Sequence, residues 1–406
     1  MREPSQCITN GFWTSYPLLT LASATRFSRN GVAVRQSREA KGLPITRIET
    51  ISSGEIDPNR VGYANLGEEE LSEYVLQSGD VLFSHINSTR HIGKCAIYTG
   101  SPPKLIHGMN LLCLRPNDNV TRPKYLFYAL NNIAFRSQLR RIIKPAVNQS
   151  SVTVSDLAKL LLPVPSIGEQ IRIATILDKA DTIRRKRQEA LQLADDFLRS
   201  VFLDMFGDPV ANPRRWQIQP IKQFATVTTG NTPPRERPEY YGGYIEWIKS
   251  DNINTPSHIV TRASEGLSEL GAKIGRIVPE GSTLITCIAG SPNCIGNAAL
   301  TNRDVAFNQQ INALTPRSET DANFLYVLVL TSKMLIQSAS TNSMKGMVSK
   351  GALENLKLIV PPLSLQRKFA TIFVSALSRI ERERTQQELG DKLFRSVCQR
   401  AFRGEL

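Results

Sequence analysis

The fold is decided by residues 160–206, LLLPVPSIGEQIRIATILDKADTIRRKRQEALQLADDFLRSVFLDMF, because residues 356–402, LKLIVPPLSLQRKFATIFVSALSRIERERTQQELGDKLFRSVCQRAF, repeat them at a constant offset of 196. Identical residues occur without a gap at Val164/Val360, Gln170/Gln366, Arg199/Arg395 and Phe206/Phe402. Upstream, Gly79-Asp80-Val81-Leu82 corresponds to Gly281-Ser282-Thr283-Leu284. The chain therefore contains an internal duplication, and we expect a pseudo-two-fold molecule.

Each repeat closes with a long helical pattern. In the first, apolar residues recur in steps of three and four along positions 173, 176, 180, 183, 187, 190, 194, 197 and 201, with Arg187 as the polar exception. The second pattern, along positions 369, 372, 376, 379, 383, 386, 390, 393 and 397, is apolar only at its ends. We expect two helices of about 40 residues, each spanning ~60 Å, packed together as an antiparallel coiled coil. Packing of each helix on its own domain is the alternative.

Prolines mark where these helices begin, since proline is tolerated at a helix start but not inside a helix. Upstream of each helix, short β-branched runs and helical periodicity predict a mixed α/β domain. The predicted strands are Leu43–Ile48, Asp80–Phe83, Tyr244–Ile248 and Ser282–Thr286, and the predicted helices are residues 125–143 and 324–337. The fold class is α+β, and the predicted divisions are a first domain at 1–165, a helix at 166–206, a linker at 207–215, a second domain at 216–361 and a helix with tail at 362–406.

Composition points to a polyanionic partner. Lys and Arg number 50 against 36 for Asp and Glu, which gives a net charge of +14. Such a charge attracts nucleic acid or an anionic surface. The six cysteines lie at no metal-ligand spacing, so we expect the reduced cytoplasm. The longest apolar run, Phe324–Leu330, is far shorter than the ~20 residues that span a bilayer, so no membrane association is expected.

Three segments carry a family resemblance. They are Pro163-Val164-Pro165-Ser166-Ile167-Gly168-Glu169-Gln170, the helix end Asp204-Met205-Phe206-Gly207-Asp208-Pro209, and the terminal Ala401-Phe402-Arg403-Gly404-Glu405-Leu406. Together with Phe307-Asn308-Gln309-Gln310-Ile311-Asn312-Ala313, they resemble segments of the specificity subunits of type I restriction-modification systems. The second repeat departs mildly, with Leu365 before Gln366 where the family usually has an acidic residue.

The resemblance implies a specific role. Residues 1–165 and 216–361 would be two target recognition domains, each of which reads half of a bipartite, asymmetric site on double-stranded DNA. The helices would set the gap between the half-sites and dock two methyltransferase subunits, which restriction subunits then join. The chain itself would bind no cofactor; S-adenosylmethionine, ATP and Mg²⁺ are expected in the partner subunits.

No catalytic motif is evident in the sequence. It has no Gly-rich phosphate loop and no Asn/Asp-Pro-Pro-aromatic element of the kind that amino-methyltransferases use; Asn231-Thr232-Pro233-Pro234 lacks the aromatic residue. Two alternatives stay open: a nuclease or methyltransferase with an unrecognised site, and a basic coiled-coil protein that binds acidic partners.

Candidate DNA contacts follow from side-chain chemistry, because Arg, Asn and Gln can read base edges whereas Lys mainly contacts phosphate. The segment His85–His91 follows a predicted strand, and its counterpart is Cys287–Asn297; two variable surface loops would show the same pattern. Arg136, Arg140 and Lys144 are spaced as one basic stripe of a helix. The predicted contacts are Asn87, Arg90, Lys94, Arg136, Arg140, Arg141, Lys144, Asn148, Gln149, Arg235, Arg237, Lys249, Asn252, Asn293, Lys345 and Lys350.

Overall fold

The computed structural model describes residues 16–146, 149–341 and 346–406. The chain folds into two compact units. Unit 1 contains the chain up to Lys186 together with Glu388–Leu406, and unit 2 contains Arg187–Gln387. The boundaries fall inside the two long helices, so each unit contains part of both. The division predicted from sequence assigns those helices to separate segments and remains a prediction.

Unit 1 is built from short strands and helices that precede the first long helix. Its strands are β1 Leu18–Thr20, β2 Thr25–Asn30, β3 Pro44–Ile45, β4 Gly62–Tyr63, β5 Val81–Ser84, β6 Ile86–Asn87, β7 Cys95–Ile97, β8 Leu111–Pro116, β9 Ser150–Ser151 and β10 Leu161–Pro163. Its helices are α1 Leu21–Ala24, α2 Glu68–Leu71, α3 Pro123–Asn131, α4 Ile133–Ile142 and α5 Val154–Ala158, followed by α6 Ile167–Phe206, which continues into unit 2.

Unit 2 repeats this order with insertions. Its strands are β11 Ile218–Pro220, β12 Ala225–Thr229, β13 Tyr241–Ile248, β14 Gly266–Leu267, β15 Ile277–Val278, β16 Thr283–Thr286, β17 Ile288–Ala289, β18 Ala298–Leu300, β19 Val305–Phe307, β20 Ile311–Pro316, β21 Gly346–Met347 and β22 Lys357–Ile359. Its helices are α7 Ile221–Phe224, α8 Ser250–Ile253, α9 Glu269–Ile274, α10 Ala322–Thr331, α11 Lys333–Ser338 and α12 Lys350–Asn355, followed by α13 Leu363–Arg403, which continues into unit 1.

A four-stranded antiparallel sheet forms the core of each unit. The strand order is β2-β8-β5-β7 in unit 1 and β12-β20-β16-β18 in unit 2. Every residue of β5 and β16 is buried, as expected for the sheet interior. The predicted strands at 80–83, 244–248 and 282–286 are confirmed within one to three residues. The strand predicted at 43–48 is wrong beyond Ile45, because a 3₁₀ turn at Ile48–Ile51 ends it.

The helices predicted at 125–143 and 324–337 are each broken into two. In unit 1 the break lies at Asn132, whose side-chain oxygen accepts a hydrogen bond from Ala134 N at 2.9 Å and so starts a new helix. In unit 2 it lies at Ser332. Because α4 ends at Ile142, Lys144 is not part of a helical stripe with Arg136 and Arg140, and that prediction is wrong.

One buried glutamine fixes the start of each long helix. Gln170 accepts a hydrogen bond from Arg122 N and donates to Pro165 O, both at 2.9 Å. Gln366 accepts from Asp321 N at 2.9 Å and donates to Pro361 O at 2.8 Å. The glutamine is identical in the two repeats because it makes the same bonds in both units.

Within each unit the two long helices run antiparallel. In unit 1, Arg172 Nη2 donates to Leu406 O at 2.8 Å, and Arg184 Nη1 lies 3.9 Å from Asp391. In unit 2, Arg187 donates to Gln386 O at 3.0 Å, and the Phe202 ring packs 5.4 Å from that of Phe369. The predicted α+β class, the duplication and the antiparallel helix pair are therefore confirmed.

The predicted seam begins correctly, since Ile173 and Phe369 are buried, but it drifts out of phase, because Ile183 and Phe197 on α6 and Ile372 and Leu393 on α13 are exposed. The helix residues that are buried on α6 include Gln170, Ile173, Leu177, Asp181, Leu198, Phe202 and Phe206. On α13 they include Gln366, Phe369, Phe373, Ile380, Ala401 and Phe402. The buried stripe contains polar residues, so a search for apolar periodicity alone follows the wrong face.

Candidate nucleic-acid interface

In unit 1 a polar loop follows the buried strand β5, and we call residues 85–94 loop A. Its first part, β6, pairs antiparallel with β9, the segment that follows α4. Thr89 Oγ1 lies 2.7 Å from Ser150 Oγ, and Lys144 exchanges both backbone hydrogen bonds with Ser151. The structure thus brings together two segments that the sequence marks separately as candidate DNA contacts.

Arg136 holds the end of loop A in place. Its guanidinium donates to Ile92 O at 3.3 Å and to Asn131 Oδ1 at 2.7 Å. Burial, with a smaller contribution from nearby Arg140, lowers the pKa of Arg136 below its usual value. The side chain lies over Gly93, where φ is +84° and a Cβ would lie 2.1 Å from Nη1. Arg136 therefore supports the loop and does not offer a free guanidinium for DNA.

Asn87 is also unsuited to reading bases. It is buried; its side-chain nitrogen donates to Ser84 Oγ at 3.1 Å, and its oxygen accepts from Ser88 N at 2.8 Å. Lys94 donates to the backbone oxygen of Ser52 at 2.9 Å. The expectation of exposed readout groups is wrong for Asn87, and Lys94 is partly committed within the unit.

The base of loop A is apolar in character. His85 is buried, and burial lowers the pKa of its imidazole to about 4, so the ring is neutral near pH 7. Its Nδ1 has no hydrogen-bond partner within the described residues. The loop is thus anchored by packing and by backbone hydrogen bonds, with the polar side chains at its tip.

The side chains that remain exposed around loop A form what we call surface A. Arg90 lies at the tip of the loop, Arg140 and Arg141 at the end of α4, and Lys144 and Gln149 on the segment that pairs with the loop. Lys144 Nζ is exposed and lies 3.4 Å from Asp156, which is partly buried. Asn148 lies outside the described residues.

Unit 2 repeats the arrangement with different side chains, and we call residues 287–297 loop B. Strand β17 at its start pairs with β21, just as β6 pairs with β9. Lys333 donates to Asn293 O at 2.8 Å and Gln337 to Ile295 O at 3.1 Å, which corresponds to the support that Arg136 gives loop A. Loop B is thus attached in the same way as loop A, although its sequence differs.

Around loop B, two of the predicted contacts are exposed among the residues that the structure describes, and we call them surface B. The Asn293 side chain is exposed at the tip of loop B. Lys350 is exposed at the first position of α12, where it lies 3.6 Å from Glu354. Lys345 lies outside the described residues.

A second basic cluster in unit 2 surrounds an indole ring. Arg235 and Lys249 lie over the Trp247 ring at 4.8 and 5.3 Å from its centroid, and both pair with Glu265. Lys249 and then Arg235 hold the pKa of Glu265 below its usual range through hydrogen bonds. The two cations are thus already neutralised in part.

Two other predicted contacts of unit 2 differ in availability. Arg237 is exposed and, among the described residues, pairs only with Glu239. Asn252 accepts from Lys249 N and donates to Arg262 O, both at 3.0 Å, so its amide serves the local backbone.

The long helices expose apolar side chains that the sequence interpretation placed in the seam or overlooked. On α6, Leu193 and Phe197 are 61% and 54% exposed; on α13, Leu389 and Leu393 are 53% and 65% exposed. Both pairs are spaced i, i+4, and the offset of 196 relates one pair to the other. One pair lies in each unit. The sequence signal for these pairs is that apolar residues recur at positions related by the offset of 196, outside the buried stripe.

Within residues 16–146, 149–341 and 346–406, no group of three or more His, Cys, Asp or Glu side chains is placed to hold a metal ion. In the same part of the chain, no helix combines the length and hydropathy needed to cross a bilayer.

Similarity to known proteins agrees with the duplicated layout. The family model described as the type I restriction modification DNA specificity domain matches residues 21–193 and, a second time, residues 213–389. The chain belongs to this family of specificity subunits. The predicted resemblance is confirmed, and the two matches show two recognition domains in one chain.

Relatives in the specificity-subunit family align over different lengths. A putative type I restriction enzyme MjaX specificity subunit from Methanocaldococcus jannaschii is 28% identical over 396 residues, which cover 93% of this chain and 90% of that protein. The HindI specificity subunit from Haemophilus influenzae is 26% identical over 45% of this chain and 40% of its own length. The crystal structure of a type I S subunit from M. genitalium has the same fold, with a TM-score of 0.61, 13% identity and 98% coverage of both chains.

Proposed function

We propose that each unit of this specificity subunit reads one half of a bipartite site on double-stranded DNA. The observation that carries the proposal is the equivalence of loops A and B. They follow equivalent buried strands, pair with equivalent segments and are supported from equivalent helices, yet Arg90 lies at one tip and Asn293 at the other. Two loops with the same backbone support but different side chains at their tips are suited to reading two different half-sites.

The net charge supports duplex DNA over an acidic protein as the ligand. Exposed Arg90, Arg140, Arg141 and Lys144 on surface A can approach phosphates, while Gln149 carries the amide that base edges require. Binding to duplex should weaken steeply with salt, and most steeply for one sequence. Binding that is equally weak for every duplex would favour the basic coiled-coil protein.

Catalysis belongs to other subunits of the complex, and this chain supplies recognition and assembly. We expect two methyltransferase subunits, because the exposed pairs Leu193/Phe197 and Leu389/Leu393 offer two equivalent apolar docking positions on the helices. Restriction subunits would join this assembly. S-adenosylmethionine, ATP and Mg²⁺ would be bound by those partners, and the cytoplasm is the expected compartment.

The experiment that tests the function is an exchange of one recognition domain. Residues 1–162 are replaced with the equivalent segment of a relative, and genomic DNA from a host that also produces the methyltransferase subunit is sequenced for methylated adenine. Only one half of the methylated sequence should change. A simultaneous change of both halves would show that the domains do not read independently, and absence of any sequence-specific methylation with the unaltered chain would refute the proposed function.

A further inference from the structure

In each unit, a loop of the recognition domain reaches the long helices, and the two loops occupy equivalent places. We call residues 52–57 tether loop 1 and residues 254–259 tether loop 2. Each follows a short helical turn, Ile48–Ile51 or Ser250–Ile253. Each turn is closed in the same way, since Arg47 N donates to Thr50 Oγ1 at 2.8 Å and Lys249 N donates to Asn252 Oδ1 at 3.0 Å.

Tether loop 1 presents an acid to a base on the helix. Glu55 pairs with Arg185 of α6. Arg185 Nε also donates to Asp181 at 2.6 Å, and Arg184 lies 2.6 Å from the other oxygen of Asp181. Asp181 therefore fixes the orientation in which Arg185 meets the loop.

Tether loop 2 presents a base to an acid on the helix. The Nε2 atom of His258 lies 3.0 Å from Asp195 Oδ1, and its Nδ1 atom lies 2.9 Å from the hydroxyl of Tyr326. Arg384 of α13 lies 3.4 Å from the second oxygen of Asp195. His258 is partly buried and packs against Phe373 of the same helix, with ring centroids 6.0 Å apart. The carboxylate thus lies on the helix in unit 2 and on the loop in unit 1.

Each helix residue that these loops meet has a counterpart in the duplication, and one counterpart has the opposite charge. The offset of 196 places Glu381 of α13 where α6 has Arg185, and Asp391 where α6 has Asp195. Glu381 Oε1 is buried and has no hydrogen-bond partner within the described residues. A recognition domain with Glu55 in the second position would therefore bring its carboxylate towards another carboxylate.

The tether loops are also joined to the candidate DNA-reading loops. In unit 1, Lys94 at the end of loop A donates to Ser52 O at 2.9 Å. In unit 2, Asn297 at the end of loop B donates to Asn254 Oδ1 at 2.8 Å. A continuous set of contacts thus connects each reading loop to the helices through a tether loop.

From these contacts we infer that tether loops 1 and 2 orient the recognition domains on the helices and that the opposite charges of Arg185 and Glu381 make the two positions non-interchangeable for the first domain. Glu55, Arg185, His258 and Asp195 are positioning residues, and the inference rests on the proposed function for what the domains read. Exposed ion pairs stabilise weakly, and Glu55 is 68% exposed. The discrimination therefore comes mainly from the repulsion that a wrong pairing creates at Glu381, whose Oε1 atom is buried.

The first experiment loosens the tether in the native chain. Glu55→Lys places a cation against Arg185. Glu39→Lys is the matched control, because Glu39 is exposed in the same unit and its one ion pair within the part of the chain that the structure describes is with Lys41. The complex is assayed on duplexes that differ only in the gap between half-sites. We expect methylation at gaps one base pair from the native one to rise about threefold relative to the native gap, the factor that an exposed ion pair typically controls. A uniform loss at all gaps, or the same result with the control, would overturn the inference.

A charge rescue tests the assignment. Combining Glu55→Lys with Arg185→Glu should restore the native gap preference. Hydrogen exchange at the amides of tether loop 1, measured without DNA, should rise in Glu55→Lys and fall again in the double variant. This readout separates failure of the tether from failure of the proposed DNA-reading function. Unchanged exchange in both variants would contradict the inference.

The second experiment places the first domain in the wrong position. Residues 13–165 replace residues 216–361, so that both positions carry the same domain, and the complex is assayed on a duplex with two copies of the first half-site. We expect weak methylation, raised about tenfold by Glu381→Arg, which recreates the partner of Glu55. Glu383→Arg, the same change at an exposed position of the same helix, is the control substitution and should give no rescue. Equal activity with and without Glu381→Arg would show that charge does not distinguish the two positions.

Discussion

At the scale of single residues, the candidate contacts divide into those that build the reading loops and those that are left exposed on them. Arg136 and Asn87 have the side chains that base recognition favours, yet both hold loop A from below. Their burial depends on packing between α4 and the loop, which are distant in sequence, so composition and spacing could not reveal it. Arg90 and Gln149 are exposed beside short strands, and their contact with DNA remains a prediction.

Gly93 provides a test of how firmly loop A is held. Its φ of +84° is matched by Gly54, but an added Cβ would meet Arg136 and Leu139 at Gly93 and nothing within 4 Å at Gly54. We expect Gly54→Ala to lower the free energy of unfolding by about 1 kcal/mol through backbone strain alone. Gly93→Ala should cost about 1–3 kcal/mol more through overpacking, and should weaken DNA binding. Equal costs in chemical denaturation would show that loop A is not packed as described.

Glu246 provides a pH test in unit 2. Burial acts to raise its pKa, but hydrogen bonds from Arg303 and Arg262 outweigh burial and lower the pKa from 4.5 to about 2. Because the folded pKa is depressed, the stabilisation is complete above pH 4.5 and is lost as the pH falls towards 2. Glu246→Gln should lower the free energy of unfolding by about 1–2 kcal/mol at pH 7.

The difference between native protein and Glu246→Gln should shrink steadily between pH 4.5 and pH 3 in chemical denaturation. Glu239→Gln is the control, since Glu239 lies in an exposed pair with Arg237. A difference that stays constant with pH would mean that the carboxylate is not held by its arginines.

At the scale of elements, the sequence predicted the long helices almost to the residue but misplaced their buried face. The helix bounds follow from prolines at the start and from Gly207 after α6, which are local signals. Which face of each helix is buried is harder to predict, because each helix has two stripes of apolar residues and only one of them is buried. The true stripe includes Asp181, which is stable there because Arg184 and Arg185 satisfy its charge.

The exposed apolar stripe carries a prediction on stoichiometry. Leu193→Gln with Phe197→Gln should remove one docking position, so that the purified complex contains one methyltransferase subunit for each chain of this protein instead of two. Leu389→Gln with Leu393→Gln should do the same, and all four changes together should remove both. Light scattering of the purified complexes gives the mass directly.

Ile277 supplies a control for this test. It is an exposed apolar residue of β15, away from the long helices, and Ile277→Gln should leave two partner subunits bound. Retention of both methyltransferase subunits in the fourfold variant would place the docking surface elsewhere.

At the scale of the whole molecule, the duplication was readable from sequence, whereas the exchange of helix segments between units was not. The offset between the repeats shows which residues correspond along the chain. It does not show which part of each long helix packs in which unit. The offset alone pairs Arg187 with Glu383, whereas Arg187 donates to Gln386 O in the folded chain.

That contact defines a test of the helices as a ruler. Four residues inserted after Arg187, matched by four after Gln387, should lengthen both helices by ~6 Å, close to two base pairs at 3.4 Å each. The same half-sites should be methylated with a gap longer by one or two base pairs. Some activity should be lost because four residues also rotate the helix by ~40°. An unchanged gap in an active double insertion would exclude the helices as the ruler.

The division of the chain between units has a consequence for its synthesis. Ala401 and Phe402 are buried in the core of unit 1, where the Phe402 ring packs 5.5 Å from that of Tyr125. The ribosome completes unit 2 before it has made these residues, so the domain translated first is the last to close. A chain that stops near residue 388 would therefore contain all of unit 2 but lack the last segment of unit 1.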